Sequence, residues 1–326
     1  MDKPLNPPIK SRVKIIFAGT PEFSVPYLEG LLADPDFLIA GVITQSDKPS
    51  GRNHELFPSP IKLSAQKNDL QIWQPEKLRK DENIFADLES VKADLLIVVA
   101  YGQIIPQNIL DLFPKGAINV HPSLLPKYRG ASPIQSAILS GERETGISIM
   151  LMDAKMDHGP ILAQDVMQLT GEETNASLHF KLAKTGVRLL IETTKRFVEG
   201  RIEPQAQNDD EATFCATITK DDAKINWNQS AQSIKQKIYA FYPWPATWTT
   251  LDGQRVKIFP PIAIINSSKI NEEDSIGKLE IIDGELNVKC GQGELILRKI
   301  QLEGKKEIPA DDFIRGHKEI AGKKFI

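Results

Sequence analysis

Only two cysteines occur in 326 residues, Cys215 and Cys290, far apart and without CxxC spacing. That scarcity excludes a disulfide-stapled scaffold and a cysteine-based zinc site, and it fits the reduced thiols of a cytoplasmic protein. Long apolar runs are missing too, since no window approaches the ~18 uninterrupted apolar residues of a membrane-spanning helix. The opening MDKPLNPPIKSR is polar and proline-broken, so it reads as a frayed extension and not as a signal or transit peptide. Charge of one sign is absent: 40 Lys+Arg stand against 43 Asp+Glu, a net charge of −3. A nucleic-acid partner would therefore have to be met by a local patch. A glycine fingerprint is lacking as well. GTPEF (19–23) follows the first apolar run but has one glycine where G-x-G-x-x-G needs three, and Pro21 takes the close-approach position. A bound dinucleotide is disfavoured there, and a tight strand-to-helix turn is the better reading.

What is present is the patterning of a globular α/β protein, 41% apolar and 25% charged. VKIIFAG (13–19) is a continuous apolar run, as expected of a central parallel strand covered on both faces. Further strands are expected over 37–44, 70–73, 94–100 and 117–120, with helical spacers notably at 60–67 and 133–139. Strands alternating with helices predict a doubly wound, Rossmann-like sheet whose ligands sit beyond the strands' carboxyl ends. Two more strands, over 147–152 and 161–169, precede a long helix at about 175–198. After Gly200 the stretch RIEPQAQNDDEAT is almost free of apolar residues and reads as a linker. A short helix near 231–240 and β-type runs at 255–259, 278–282, 286–290 and 294–300 follow, spaced as in a small OB-like β-barrel. The expected organisation is a first domain over 1–203, a linker over 204–212 and a second domain over 213–326.

AINVHPSLLPKYRGASP (117–133) carries the chemistry. Period-two alternation puts Asn119 and His121 on one side of a strand and Val120 on the other. An Asn amide can donate to an oxygen that becomes anionic, and a His beside it can exchange the proton of an attacking amine. A satisfied pair capping the sheet is the alternative. MDAKMDHGPI (152–161) offers two carboxylates, Asp153 and Asp157, of which Asp157 precedes a His158-Gly159-Pro160 turn that could push it outward. A carboxylate beside His121 would orient the imidazole and favour its charged form. His158 itself reads as a solvated turn residue.

INVHPSLLPKYRGASPI together with MDAKMDHGPIL resembles the folate-dependent formyltransferases, whose pattern is Asn-x-His, then Ser-Leu-Leu-Pro, then a distant Asp. The resemblance implies formyl transfer from 10-formyltetrahydrofolate to an amine, without a metal. Asn119 would polarise the formyl oxygen, His121 would manage the amine proton, and Asp157 would tune His121. Ser123, Leu124, Leu125 and Pro126 match the segment lying along the folate, while VVAYGQIIP (98–106), with Tyr101 and Gly102, resembles a pterin-pocket stretch.

IIFAGTPEFSVPYLEGLL, TQSDKPSGR, PSPIK and YPWPATW narrow the resemblance to members whose acceptor is initiator methionyl-tRNA, in translation initiation. It runs from about residue 12 to the C-terminus. A cytoplasmic monomer is expected. Purine-pathway, sugar-nucleotide and hydrolase members share this core, but a purine-pathway enzyme would need only the first domain. Arg52 matches a tRNA-contacting position, although Asn53-His54-Glu55 replaces the lysines usual there. Tyr239 stands where the family carries an arginine, and Tyr239, Phe241 and Trp244 are expected to pack. Residues 206–326 hold 17 Lys+Arg against 18 Asp+Glu, so tRNA contact by the second domain rests on the resemblance.

Overall fold

The computed structural model describes residues 12–50 and 55–326, and Arg52 with its neighbours Asn53 and His54 lies outside them. The chain forms two compact units. The first comprises Met1–Arg129, Gly146–Val166 and Phe180–Thr213, and the second Gly130–Thr145, Met167–His179 and Phe214–Ile326.

In the first unit the expected strands appear as β1 (Val13–Gly19), β2 (Phe37–Ile43), β3 (Ile72–Trp73), β4 (Leu95–Val99), β5 (Ala117–His121), β6 (Glu144–Leu151) and β7 (Ile161–Gln168). They make one sheet in the order β7-β6-β5-β4-β1-β2-β3. β1 pairs in parallel with β2 and β4, β2 with β3, and β4 with β5, whereas β6 runs antiparallel to β5. Burial explains the unbroken apolar runs: Ile15, Ile16, Phe17 and Ala18 in β1 and Leu95, Leu96 and Ile97 in β4 are fully buried. β7, at the edge of the sheet, buries only Leu162 and from Ala163 on alternates half-buried and exposed positions, the mark of a strand with one wet face. Helix α1 (Pro60–Lys67) starts where expected because Ser59 Oγ accepts from Lys62 N at 3.1 Å and Pro60 fills the first turn, a cap worth about 1 kcal/mol. β5 extends one residue beyond the apolar run and so carries His121 within the strand.

The second unit contains α2 (Ala231–Ala240) and an antiparallel sheet built from β8 (Trp248–Leu251), β9 (Gln254–Ile270), β10 (Leu279–Ile282), β11 (Glu285–Lys289) and β12 (Gln292–Leu302). Its order is β8-β9-β12-β11-β10, and β13 (Ile308–Pro309) is added on β12. The ladder does not close on itself among the described residues, so the expected barrel is an open sheet here. β9 is one 17-residue strand. Its register against β12 breaks between Phe259 and Ile262, where Pro260 and Pro261 donate no backbone proton. The C-terminal tail serves both free edges: Ile326 exchanges backbone hydrogen bonds with Thr250 on β8, and Lys323 O accepts from Leu279 N on β10.

Tyr239 and Phe241 pack as expected, each 3% exposed. Tyr239 Oη donates to Glu172 Oε2 at 3.1 Å and accepts from Ile262 N at 3.2 Å. Trp244 departs from the expectation. It is 51% exposed, carried on a turn between Pro243 and Pro245. No helix of the described residues is long and apolar enough to cross a membrane.

Candidate active site

β5 ends in Asn119 and His121 at the carboxyl edge of the parallel strands, between β4 and β6, with Val98 beside Asn119 and Ser148 beside His121. Val120 points into the core at 2% exposure. The pair is therefore on one face, as the alternation requires.

Both side chains meet one carboxylate. Asn119 Nδ2 donates to Asp157 Oδ1 at 3.3 Å, and His121 Nδ1 lies 3.6 Å from Asp157 Oδ2. The His121 and Asp157 side chains are only 5% and 16% exposed, so solvent screens their interaction weakly. The other ring nitrogen, His121 Nε2, lies 2.9 Å from Tyr128 O. A carbonyl only accepts, so Nε2 carries a proton and Nδ1 is the atom left to exchange one.

The choice between the two aspartates is made by geometry. Asp153 is occupied by its own turn, with Oδ2 at 2.6 Å from His158 Nδ1 and Oδ1 accepting from Lys155 N at 2.9 Å. Asp157 adopts a left-handed conformation, φ 49°, which costs an L-residue on the order of 1 kcal/mol. Gly159, two residues on, has no room for a Cβ, which would collide with the Leu151 carbonyl. This tight turn sends the Asp157 carboxylate toward β5.

The Ser123–Pro126 segment is pinned from below. Ser148 Oγ donates to Ser123 O at 2.7 Å and accepts from Leu125 N at 3.0 Å and Gln164 Nε2 at 2.7 Å. Gln164 Nε2 also reaches Leu125 O at 3.0 Å. Ser123 is fully buried, its hydroxyl donated to Lys127 O at 2.6 Å, and Leu125 is 3% exposed. Leu124 and Pro126 are the half-buried members that offer surface. Tyr101 is 1% exposed, in the same buried cluster as Ile105 and Ile109, and burial pushes its phenol well above the ordinary value. Its carbonyl accepts from Thr20 Oγ1 and Gln45 Nε2, both at 2.9 Å. Gly102 follows in an exposed, left-handed conformation, φ 81°. Thus the structure brings Asn119, His121 and Asp157 together. It gives Ser123 and Leu125 supporting roles and leaves Tyr101 only its backbone to offer a ligand.

The Formyl transferase family profile matches residues 12–194, and that of the Formyl transferase C-terminal domain matches residues 217–318. The chain belongs to the formyl transferase family. It is 40% identical to the methionyl-tRNA formyltransferase of Staphylococcus aureus, covering 96% of this chain and 99% of that one. It is 41% identical to the methionyl-tRNA formyltransferase of Clostridium tetani, over 94% and 97% of the two chains. An N-formyltransferase from Helicobacter canadensis, solved with folinic acid and dTDP-3-aminofucose, shares the fold with a TM-score of 0.63 at 19% identity, over 91% of this chain and all of that one.

Several residues that build the site of this family member escaped the sequence reading. Ser148 sits on a strand buried almost throughout and Gln164 at an exposed position of β7, and neither pattern says which hydroxyl or amide reaches the loop. Arg129 lay in a stretch read only as a basic loop, and Gln207 in one read only as a linker. Their partners are 78 and 50 residues away in sequence, so no local pattern signals them.

Proposed function

We propose that this chain transfers the formyl group of 10-formyltetrahydrofolate to the α-amine of methionine on initiator tRNA, in the cytoplasm and as a monomer. The observation that carries the chemistry is the convergence of Asn119 and His121 on the two oxygens of Asp157. The full-length likeness to methionyl-tRNA formyltransferases supports the acceptor.

When bound, formylfolate supplies the formyl carbon. Asn119 Nδ2 rests on Asp157 Oδ1 through a long, easily exchanged hydrogen bond, and it turns to the formyl oxygen as negative charge develops there. A well-placed neutral donor of this kind is worth about 3 kcal/mol. The acceptor amine must shed a proton near neutral pH, the range in which histidine is the suited side chain. His121, held by Tyr128 O at Nε2, accepts that proton at Nδ1 and returns it toward the leaving folate nitrogen. Asp157 stabilises the imidazolium while it exists. Leu124 and Pro126 offer a firm apolar edge to the folate, fixed by the Ser148 and Gln164 hydrogen bonds beneath.

In this reading residues 1–203 hold the reaction centre, and residues 213–326 form an antiparallel-sheet module whose sheet edges are tied by the C-terminal tail. That module and Arg52 grip the tRNA. The chain is tested with methionyl-tRNA and 10-formyltetrahydrofolate, followed by hydrolysis and mass spectrometry of the amino acid. N-formylmethionine formed in proportion to enzyme is the expected result. Its absence, with formyl transfer to free aminosugar nucleotides instead, would replace the acceptor.

A further inference from the structure

The turn that presents Asp157 is held from a distance. Gln207 Nε2 donates to Asp157 O at 2.9 Å and to Gly159 O at 2.7 Å. Gln207 Oε1 in turn accepts from Arg129 Nε at 3.0 Å and Nη2 at 2.9 Å. Arg129 is 4% exposed and also reaches Asp209 Oδ1 at 2.8 Å. Asp209 Oδ2 lies 3.4 Å from His158 Nε2, on the residue between the two carbonyls that Gln207 holds.

Each end of one amide thus makes two hydrogen bonds, and its orientation is not free. Turned over, the amide would set its oxygen against two carbonyls and its NH2 against a guanidinium. The guanidinium only donates, so Arg129 selects the orientation in which Nε2 faces the turn. The two carbonyls so captured flank His158, and together they restrain the backbone torsions on either side of it. Asp157 needs such a restraint because its left-handed conformation (φ 49°) is not one a free aspartate favours. The Arg129 hydrogen bond holds Asp209 below the usual carboxylate range, helped by His158, so the anchor stays charged.

We propose that Gln207, oriented by Arg129, is a positioning residue for the transfer reaction: it holds the Asp157 turn in the one conformation that aims its carboxylate at His121 and Asn119. This rests on the formyl-transfer reading. The segment after residue 200 is then more than a connection between units, because it supplies the brace for the reacting carboxylate. A displacement of about 1 Å at such a group is enough to lower turnover on the order of 100-fold.

The experiment compares the full chain with Gln207→Glu and Gln207→Met, measuring kcat, KM for both substrates and Tm, together with a crystal structure of Gln207→Met. Gln207→Glu keeps the Arg129 contact but sets an oxygen against the two carbonyls. Expected are a kcat at least about 30-fold lower, KM values within about 2-fold, and a Tm near that of the parent. The same split, smaller, is expected for Gln207→Met, which carries the test if Gln207→Glu does not fold. In its crystal structure the Asp157 carboxylate should leave the reach of both Asn119 and His121. A kcat within about 2-fold of the parent in a folded variant would overturn the proposal, as would an unmoved Asp157. A parent chain that forms no formylmethionine contradicts the functional reading instead, and the crystal structure still decides the brace.

Discussion

Ser148 and Ser123 are joined at 2.7 Å, the Ser148 hydroxyl donating to the Ser123 carbonyl from a fully buried position. The same hydroxyl accepts from Leu125 N and Gln164 Nε2, so one oxygen in β6 sets the shape of the loop that follows His121. Ser148→Ala leaves the Leu125 amide and the Ser123 carbonyl without this partner, which costs about 1–3 kcal/mol. Thermal unfolding should show that loss. Steady-state kinetics should show a raised KM for formylfolate, because Leu124 and Pro126 lose their fixed position.

Tyr239→Phe probes a different hydroxyl. It removes the bridge between the exposed Glu172 Oε2 and the buried Ile262 N, and the Ile262 amide is left without that acceptor. Chemical denaturation should report a loss of about 1–2 kcal/mol, with kcat for formyl transfer unchanged. An equal stability would mean that the ring alone accounts for the packing there.

Tyr101→Phe should behave in the opposite way. The Tyr101 hydroxyl is buried and has no hydrogen-bond partner in the structure, so removing it costs little or even stabilises. The Tyr101 carbonyl, with its bonds to Thr20 and Gln45, is untouched. The KM for formylfolate should stay within about 2-fold of the parent; a large rise would place the phenol, not the backbone, at the ligand.

Burial also sets an alkaline limit. It pushes the Cys290 thiol from 9.0 to about 12, and it raises Tyr27 and Tyr101 above their ordinary values. An acid whose folded pKa is raised keeps its full stability contribution below the unfolded value. That contribution is lost as pH rises above it, because only the unfolded chain ionises there. Stability measured by denaturant should therefore decline above about pH 9, and Cys290→Ala should soften the decline relative to its own stability at pH 7. A thiol reagent should modify Cys290 in the folded protein far more slowly than in the unfolded one.

Local chemistry explains which parts of the fold were legible in the sequence. The continuous run at Val13–Gly19 could only be a strand covered on both faces, and Ser59-Pro60 marks a helix start by cap and fixed φ together. The helix expected over 175–198 is found as Asn175–Val198, where apolar residues at helical spacing left little choice. Asn119 and His121 were visible as candidates because polar groups on a buried strand need a reason. The choice of Asp157 over Asp153 rested on the turn, and the hydrogen bonds that occupy Asp153 supply the physical cause. The illegible parts share one property, dependence on distant partners. Strand spacing in the second unit suggested a closed barrel but could not show that Pro260 and Pro261 interrupt one long strand or that the tail holds both edges. A glutamine in a polar stretch gave no sign of its bonds to Asp157 and Arg129. Trp244 looked like core, and only the flanking turn explains its exposure.

Single-turnover formation of N-formylmethionyl-tRNA by the parent chain, Asn119→Ala and His121→Ala, with tRNA affinity measured alongside, tests the convergence on Asp157 most sharply. Each substitution is expected to lower the rate at least about 100-fold while tRNA affinity stays nearly intact. Parent-like rates in both variants would contradict the roles assigned to Asn119 and His121.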